Sequence, residues 1–265
     1  MNLSSETKNE FAVSVIIPTY NSGAYLAEAV NSVLRQTKPA QEIIVVDDGS
    51  TDHTKAILQS FIDQKQVDYI RQENSGPAAA RNRGIKLAKS DFIAFLDADD
   101  VWLENKLELE LPFFDDPEVG LVYGQRLEFE DSAKLERKMN TPLYSGKIFP
   151  QLIKNNFITN SSVVVRKDIF RQIDLFNEDQ SLRAIEDYEL WLRVAAHFKI
   201  VGVDQLVVKY RIHPAQISYQ IVNRNILLKL SICRRLWFDI YARGYRTAIL
   251  LEWMKNYLRL IKSKI

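Results

Sequence analysis

One cysteine, Cys233, stands in 265 residues, which excludes a disulfide framework and a cysteine-built metal cluster and suits a reducing compartment. Net charge is nearly absent as well. The 35 Lys and Arg face 34 Asp and Glu, a formal +1, so the whole-chain balance gives no reason to expect a nucleic-acid partner. No stretch reaches the roughly 18 uninterrupted apolar residues of a membrane-spanning helix. Met1 to Glu10 is polar and lacks the apolar core of a cleavable leader. A cytoplasmic protein is expected, or one peripheral on the cytosolic face of a membrane. Glycine-rich phosphate loops are also missing. Neither Gly-x-Gly-x-x-Gly after the first strand nor Gly-x-x-x-x-Gly-Lys-Ser/Thr occurs, which disfavours dinucleotide folds and phosphate-loop NTPases.

What is present is a strand–helix alternation. Val13 to Ile17, Ile43 to Val46, Val67 to Ile70 and Phe92 to Leu96 are apolar runs of strand length. Continuous apolar runs of this kind suit a sheet buried on both faces. Pro18, which cannot donate to a ladder, is expected to end the first strand. Between the strands, Ala24 to Leu34 carries a helical apolar face, and Ile57, Leu58, Phe61 and Ile62 form another. Pro77 after Gly76 opens a third helix. Short connections between such elements predict a doubly wound, mostly parallel α/β sheet flanked by helices, with ligands at the carboxyl ends of its strands.

The polar residues obey that rule. Thr19, Tyr20 and Asn21 follow the first strand, Asp47 and Asp48 the second, and Asp97-Ala98-Asp99-Asp100 the fourth. In an extended segment Asp97 and Asp99 point the same way. Two converging carboxylates suit a hard divalent cation with oxygen ligands, Mg²⁺ or Mn²⁺. A solvated acidic turn accounts for that run equally well if it is taken alone. Three polar clusters at successive strand ends favour a site.

Val13 to Asn21, Gln36-Thr37, Glu42 to Asp52, Asn74, Gly76 to Gly84 and Phe95 to Asp100 resemble, in order, the opening of glycosyltransferase family 2. Further on, Glu186 to Arg193 and Tyr210-Arg211-Ile212-His213-Pro214 resemble the family's acidic catalytic segment and its late metal or phosphate contact. The resemblance covers about residues 11–218. It implies a GT-A fold and inverting transfer of a sugar from a nucleotide-diphosphate donor, a UDP-sugar being favoured, in the hexosyl- or N-acetylhexosaminyltransferase class. Pro18 and Tyr20 would wall the base, with Asn21 beside them, and Asp48 would accept a hydrogen bond from the base. Arg81 would reach base or phosphates, unless it lies on a solvated helical face. Asp99 would ligate Mn²⁺ or Mg²⁺ with His213, and Asp97 would turn to the donor or to the metal. Asp187 would be the general base, with Glu186 as runner-up; a favourable helix N-terminus also explains both acids.

The rest is less specific. Glu128 to Lys138 is charged and is expected to be an irregular surface loop, in the half that shapes the acceptor pocket. Residues 1–10 form a polar tail, 11–222 the catalytic domain (11–100 nucleotide-binding, 101–222 acceptor-binding), and 223–265 a basic amphipathic extension broken at Gly244. That extension carries ten Lys/Arg against Asp239 and Glu252, a balance of +8 that leaves −7 on the rest. It is expected either to sit on an anionic membrane surface, with Trp237, Tyr241 and Trp253 at the interface, or to pack on the acidic domain or another subunit. The acceptor is expected to be a saccharide or glycolipid of cell-surface assembly. A polyprenyl-phosphate sugar transferase, a nucleotidyltransferase and a non-catalytic sugar-nucleotide-binding module are the alternatives.

Overall fold

The computed structural model describes residues 11–131, 135–139, 142–214, 216, 225–238 and 243–262, with backbone alone at 225–228 and 260–262. The polar tail 1–10, Arg224, Asp239, Tyr241 and Lys264 lie outside the described residues. Among the described residues, nine strands form one sheet. β1 (Val13–Thr19) runs parallel between β2 (Glu42–Asp47) and β4 (Phe92–Phe95), and β3 (Asp68–Arg71) extends the parallel edge. Helices α1 (Leu26–Leu34), α2 (Thr54–Asp63) and α3 (Pro77–Leu87) make the crossovers, with Pro77 at the first turn of α3.

The second half turns the sheet over. β5 (Val101–Trp102) and α4 (Lys106–Glu110) lead to the long β6 (Val119–Glu130), which pairs with β7 (Leu135–Lys138) as a hairpin. α5 (Phe149–Leu152), β8 (Val163–Arg166), α6 (Phe170–Ile173), α7 (Glu186–His197) and β9 (Lys199–Arg211) follow. β8 lies antiparallel between β4 and β6, β9 runs parallel to β6, and β5 closes the far edge against β9. The parallel sheet expected from the first hundred residues therefore holds there, and the whole sheet is mixed.

Strand alternation divides the core. Ile16, Ile44, Val46 and Phe95 pack on one face with Trp191 and the helices around it; Val15, Ile17 and Val45 pack on the other with Leu26, Val30 and Leu58. The α3–β1 contact is so close that a Cβ on Gly84 would stand 2.5 Å from Ile16 Cγ2. Only glycine lets that helix seat on the strand.

Three expectations are corrected. Pro18 lies inside β1, opposite Val46. β4 pairs only as far as Ile16, so the missing Pro18 N–H falls on the side where no ladder partner remains. Ile57 is exposed, because α2 rests on the sheet along Leu58 alone among its apolar residues that are fully buried. Glu128 to Lys138 is largely the β6–β7 hairpin rather than an irregular loop; its β6 strand is also paired with β9 through Phe129, and β7 is the exposed outer strand.

The extension forms α8 (Asn225–Phe238) and α9 (Arg246–Lys262) on either side of Gly244. Both pack on the domain: Ile232, Cys233, Leu236 and Ile249 join the same core as Trp191. Tyr245 stacks on Phe149 at 4.3 Å, and Lys229 Nζ donates to the Lys154 carbonyl at 2.8 Å. Trp237 and Trp253 are partly buried against that core and do not form the outer surface. No helix among the described residues is long and apolar enough to cross a membrane.

Candidate active site

The carboxyl ends of β1, β2 and β4 open on one cleft of about 570 Å³. Pro18, Tyr20, Asp48, Arg81, Asp97, Asp99, Glu186 and Asp187 all line it. Buried polar atoms without partners gather there: Thr19 Oγ1, Arg81 Nε, Asn160 Oδ1 and Glu186 Oε2 belong to its lining residues. Such atoms are rare in folded proteins and mark a place where a polar ligand is awaited.

At the β1–β2 end, Tyr20 is 45% exposed and free to stack. Asn21 does not line the cleft. Its backbone is left-handed (φ 52°), and its Oδ1 accepts from the Thr51 amide at 2.8 Å and the Asp52 amide at 3.3 Å. It fastens the turn after β2 to the turn after β1. Asp48 accepts from Gln72 Nε2 (2.8 Å), the Ser75 amide (2.9 Å) and the Gly76 amide (2.8 Å), so its carboxylate holds the loop that leads into α3. A carboxylate has about four acceptor sites, which leaves Asp48 room for one more donor from the cleft.

The Asp97–Asp100 segment is a turn, with the Asp100 amide donating to the Asp97 carbonyl at 3.1 Å, so Asp97 and Asp99 share the cleft through turn geometry and not through strand alternation. Asp97 Oδ1 accepts from Arg81 at 2.8 Å and from Asn160 Nδ2 at 2.9 Å. Asp99 Oδ2 stands 3.0 Å from His213 Nε2. Burial, and then the neighbouring Asp97, push the Asp99 carboxyl above the ordinary aspartate range. Asp100 faces inward. It accepts from Ser161 Oγ and from the Arg211 amide at 3.0 Å, and burial raises it well above the usual range.

Arg211 is the clamp behind this turn. Its guanidinium lies between the rings of Tyr25 (4.7 Å) and Phe129 (4.4 Å), donates to the Asp99 carbonyl at 2.8 Å, and pairs with Glu28 and Asp131. His213, two residues on, rests 5.0 Å from the Tyr25 ring.

Arg81 is buried and not on a solvated face. It bridges Asp97 and Glu186, at 2.8 and 2.7 Å, and so ties the end of β4 to the start of α7. Those carboxylates hold its own pKa above the ordinary arginine value against the opposing effect of burial. α7 is anchored by Leu190, Trp191, Val194 and Ala195, all buried. Asp187 on its first turn accepts from the Tyr188 amide at 2.7 Å. Desolvation, and then the charge of Glu186, lift Asp187 to about 7.

Three contributors had little sequence signal. Asn160 and Ser161 reach Asp97 and Asp100 because β8 runs antiparallel to β4, which places the start of one strand beside the end of the other. The Asn160-Ser161-Ser162 run before an apolar strand was the only hint. Arg211 sat inside a noted motif, but its clamping role depends on a β6–β9 pairing between distant segments.

Among the described residues no group of three or more His, Cys, Asp or Glu is arranged to hold a metal by itself. The donor set nonetheless fits a divalent cation. Asp99 and His213 are adjacent and Asp97 is close, and the two carboxylates supply the oxygen donors that a hard cation takes. Such an ion would take its remaining ligands from water and a diphosphate.

A mixed sheet of this order, with an Asp-x-Asp turn at the end of its fourth strand, defines a GT-A type fold. It resembles S. aureus TarS 1–349 solved with UDP-GlcNAc (TM-score 0.71, 20% identity, 94% of this chain and 73% of that one). A mannosyltransferase from Pyrobaculum calidifontis, solved with GDP-Man and Mn²⁺, superposes with a TM-score of 0.67 at 17% identity, over 92% of this chain and 69% of that one. The chain belongs to glycosyl transferase family 2, whose family model matches residues 14–174. The teichuronic acid biosynthesis glycosyltransferase TuaG of Bacillus subtilis, its name given with a provisional role, is 32% identical over 92% of this chain and 90% of its own length. The Escherichia coli enzyme WfgD, named as a UDP-Glc:α-D-GlcNAc-diphosphoundecaprenol β-1,3-glucosyltransferase, is 30% identical over 79% of this chain and 81% of its own length. An uncharacterised glycosyltransferase of Rickettsia conorii, RC0461, is 32% identical over 99% of this chain, which spans only 43% of that protein.

Proposed function

We propose that this protein transfers a hexosyl or N-acetylhexosaminyl group from a nucleotide-diphosphate sugar, a UDP-sugar by preference, to an acceptor hydroxyl with inversion. The observation that carries the reading is the convergence of Asp97, Asp99 and Asp187 on one cleft, with Asp187 lifted to about 7. A carboxylate with that pKa can accept a proton near neutral pH.

In this reading Tyr20 and Pro18 flank the base, and Asp48 offers its remaining acceptor site to a base N–H. Asp99 and His213, with Asp97 alongside, would hold Mn²⁺ or Mg²⁺, and the bound ion would offset the charge of the departing diphosphate. Asp187 removes the acceptor hydroxyl proton as its oxygen attacks the anomeric carbon in line. The new C–O bond forms while the bond to the diphosphate oxygen breaks, and the nucleoside diphosphate leaves with that electron pair. Arg81 and Glu186 keep the base at a fixed distance from the Asp97 turn. The names of TuaG and WfgD support a saccharide or glycolipid acceptor in cell-surface polymer synthesis. The basic extension supports work at the cytosolic face of an anionic membrane.

The test is incubation of the protein and Mn²⁺ with individual UDP-sugars and a panel of saccharide and lipid-diphosphate acceptors, reading UDP release and product mass. A product of inverted anomeric configuration that Asp187→Asn fails to make supports the reading. A retained configuration, or full activity in Asp187→Asn, removes the base assignment.

A further inference from the structure

We propose that the outer face of α9 is the membrane-docking surface, lying flat on anionic phospholipid with its apolar residues in the headgroup–acyl boundary. The proposal deepens the membrane-side reading above and concerns a surface separate from the cleft.

The geometry is that of an interfacial helix. Leu250, Leu251, Met254, Tyr257 and Leu258 of α9 are each 44–63% exposed. At roughly 100° of turn per residue they share an arc of about 120°. The inward arc is different in kind: Ile249, Glu252 and Asn256 are buried, with Asn256 Nδ2 donating to the Glu252 carbonyl and carboxylate at 2.8 Å each. One helix thus carries two opposed faces, one seated on the domain and one apolar face turned outward. Contiguous exposed apolar surface of this kind marks an interaction site.

Charge selects the occupant. The outer arc is flanked by exposed Arg246 on one side and by exposed Lys255 on the other; the one acid of α9, Glu252, is buried on the inner face with Lys255 Nζ 3.5 Å from its carboxylate, and exposed Arg259 lies further round, beside Glu252. A basic rim around an apolar stripe complements an anionic bilayer, in which each cation lies at headgroup depth while leucines enter the acyl boundary. Phe238, at the end of α8, is 79% exposed and supplies a further apolar group on the extension.

The seat is firm enough to orient the enzyme. α8 is fastened to the segment before α7, Arg235 pairing with Asp179, whose carboxylate caps the turn at Ser181. Docking α9 would therefore fix the attitude of the cleft to the membrane.

The experiment is co-sedimentation of the full chain with vesicles of phosphatidylcholine alone or mixed with phosphatidylglycerol. The wild type is compared with Leu251→Glu/Leu258→Glu and with Lys255→Glu/Arg259→Glu, and light scattering is run on each. The leucine positions are exposed, so that variant should melt as the wild type does; the charge variant gives up the Lys255–Glu252 pair, so its melt is read beside its vesicle binding, and both should bind UDP with Mn²⁺ as the wild type does. Expected is binding to the anionic vesicles that falls about tenfold or more in the leucine variant and loses its preference for phosphatidylglycerol in the charge variant. Three results would overturn the proposal. One is no vesicle binding by the wild type. The second is binding that neither variant alters. The third is a wild-type dimer that the leucine variant makes monomeric, which would assign the face to a second copy. Failure here leaves sugar transfer in the cleft untouched, because UDP binding and UDP release are measured without lipid.

Discussion

Asp187 should make the folded protein less stable as it becomes competent. Its carboxyl rises from the ordinary 3.8 to about 7 on folding, through burial first and Glu186 second. A carboxylate raised in the folded state binds more protons there than in the unfolded chain, so stability falls as pH rises between the two values and levels off above the higher one. No cost exists below about pH 4, where both states are protonated. Above pH 7 a displacement of this size corresponds to roughly 4 kcal/mol as a ceiling. The carboxylate is only partly shielded from the open cleft, so solvent screening reduces the working figure to about 2 kcal/mol. Asp187→Asn keeps the acceptor for the Tyr188 amide and removes the charge. Urea unfolding of both proteins should show the variant more stable by about 2 kcal/mol at pH 8 and by less than half of that at pH 5. An advantage equal at the two pH values, or a variant less stable at pH 8, would refute the reasoning.

The remaining predictions are briefer. In the wild type the turnover rate should climb with pH along a limb centred near 7, since the base must be ionised; a flat profile from pH 5 to 8 would count against Asp187. Asp99→Asn should weaken nucleotide binding in Mn²⁺ by tenfold or more and change it little in EDTA, measured by titration calorimetry. Gly84→Ala should cost about 1–3 kcal/mol through the clash with the γ-carbons of Ile16, read in thermal melts. Arg211→Ala should lower Mn²⁺-dependent UDP affinity more than UDP affinity in EDTA, because the Asp99 turn loses its clamp.

The first hundred residues were legible because each element there carries a local signal. The apolar runs of β1, β2 and β4 are buried on both faces, and Pro77 with Gly76 marks the start of α3 within a residue. Parallel crossovers then place Tyr20, Asp48, Asp97 and Asp99 at one sheet edge by rule. The second half pairs segments far apart in sequence, such as Phe129 with Arg211 and Phe92 with Arg166. Nothing local in Glu128 to Lys138 distinguishes a hairpin from a loop, since the β9 strand that holds its first half in the sheet lies far along the chain. Asn160, Ser161 and Arg211 were hard to assign for the same reason: their partners are decided by strand order. Pro18 shows the opposite error, a sound local rule overridden because the ladder had already ended on that side. In the extension, helical spacing identified amphipathic helices but not which face met the domain. The structure turns Trp237 and Trp253 inward and leaves Leu251 and Leu258 outside.

The central claim is a metal-assisted nucleotide-diphosphate site in the cleft, and a thermal-shift panel tests it most directly. UDP, GDP, CDP and dTDP are each measured with Mn²⁺, Mg²⁺ or EDTA. Ligand at about 100 times its Kd stabilises the folded state by about 2.7 kcal/mol, which for a chain of this size is a rise of roughly 5–10 °C in Tm. The account predicts such a rise with UDP and Mn²⁺, lost in EDTA and in Asp99→Asn. A protein that melts cooperatively at one temperature with every nucleotide and metal would contradict it.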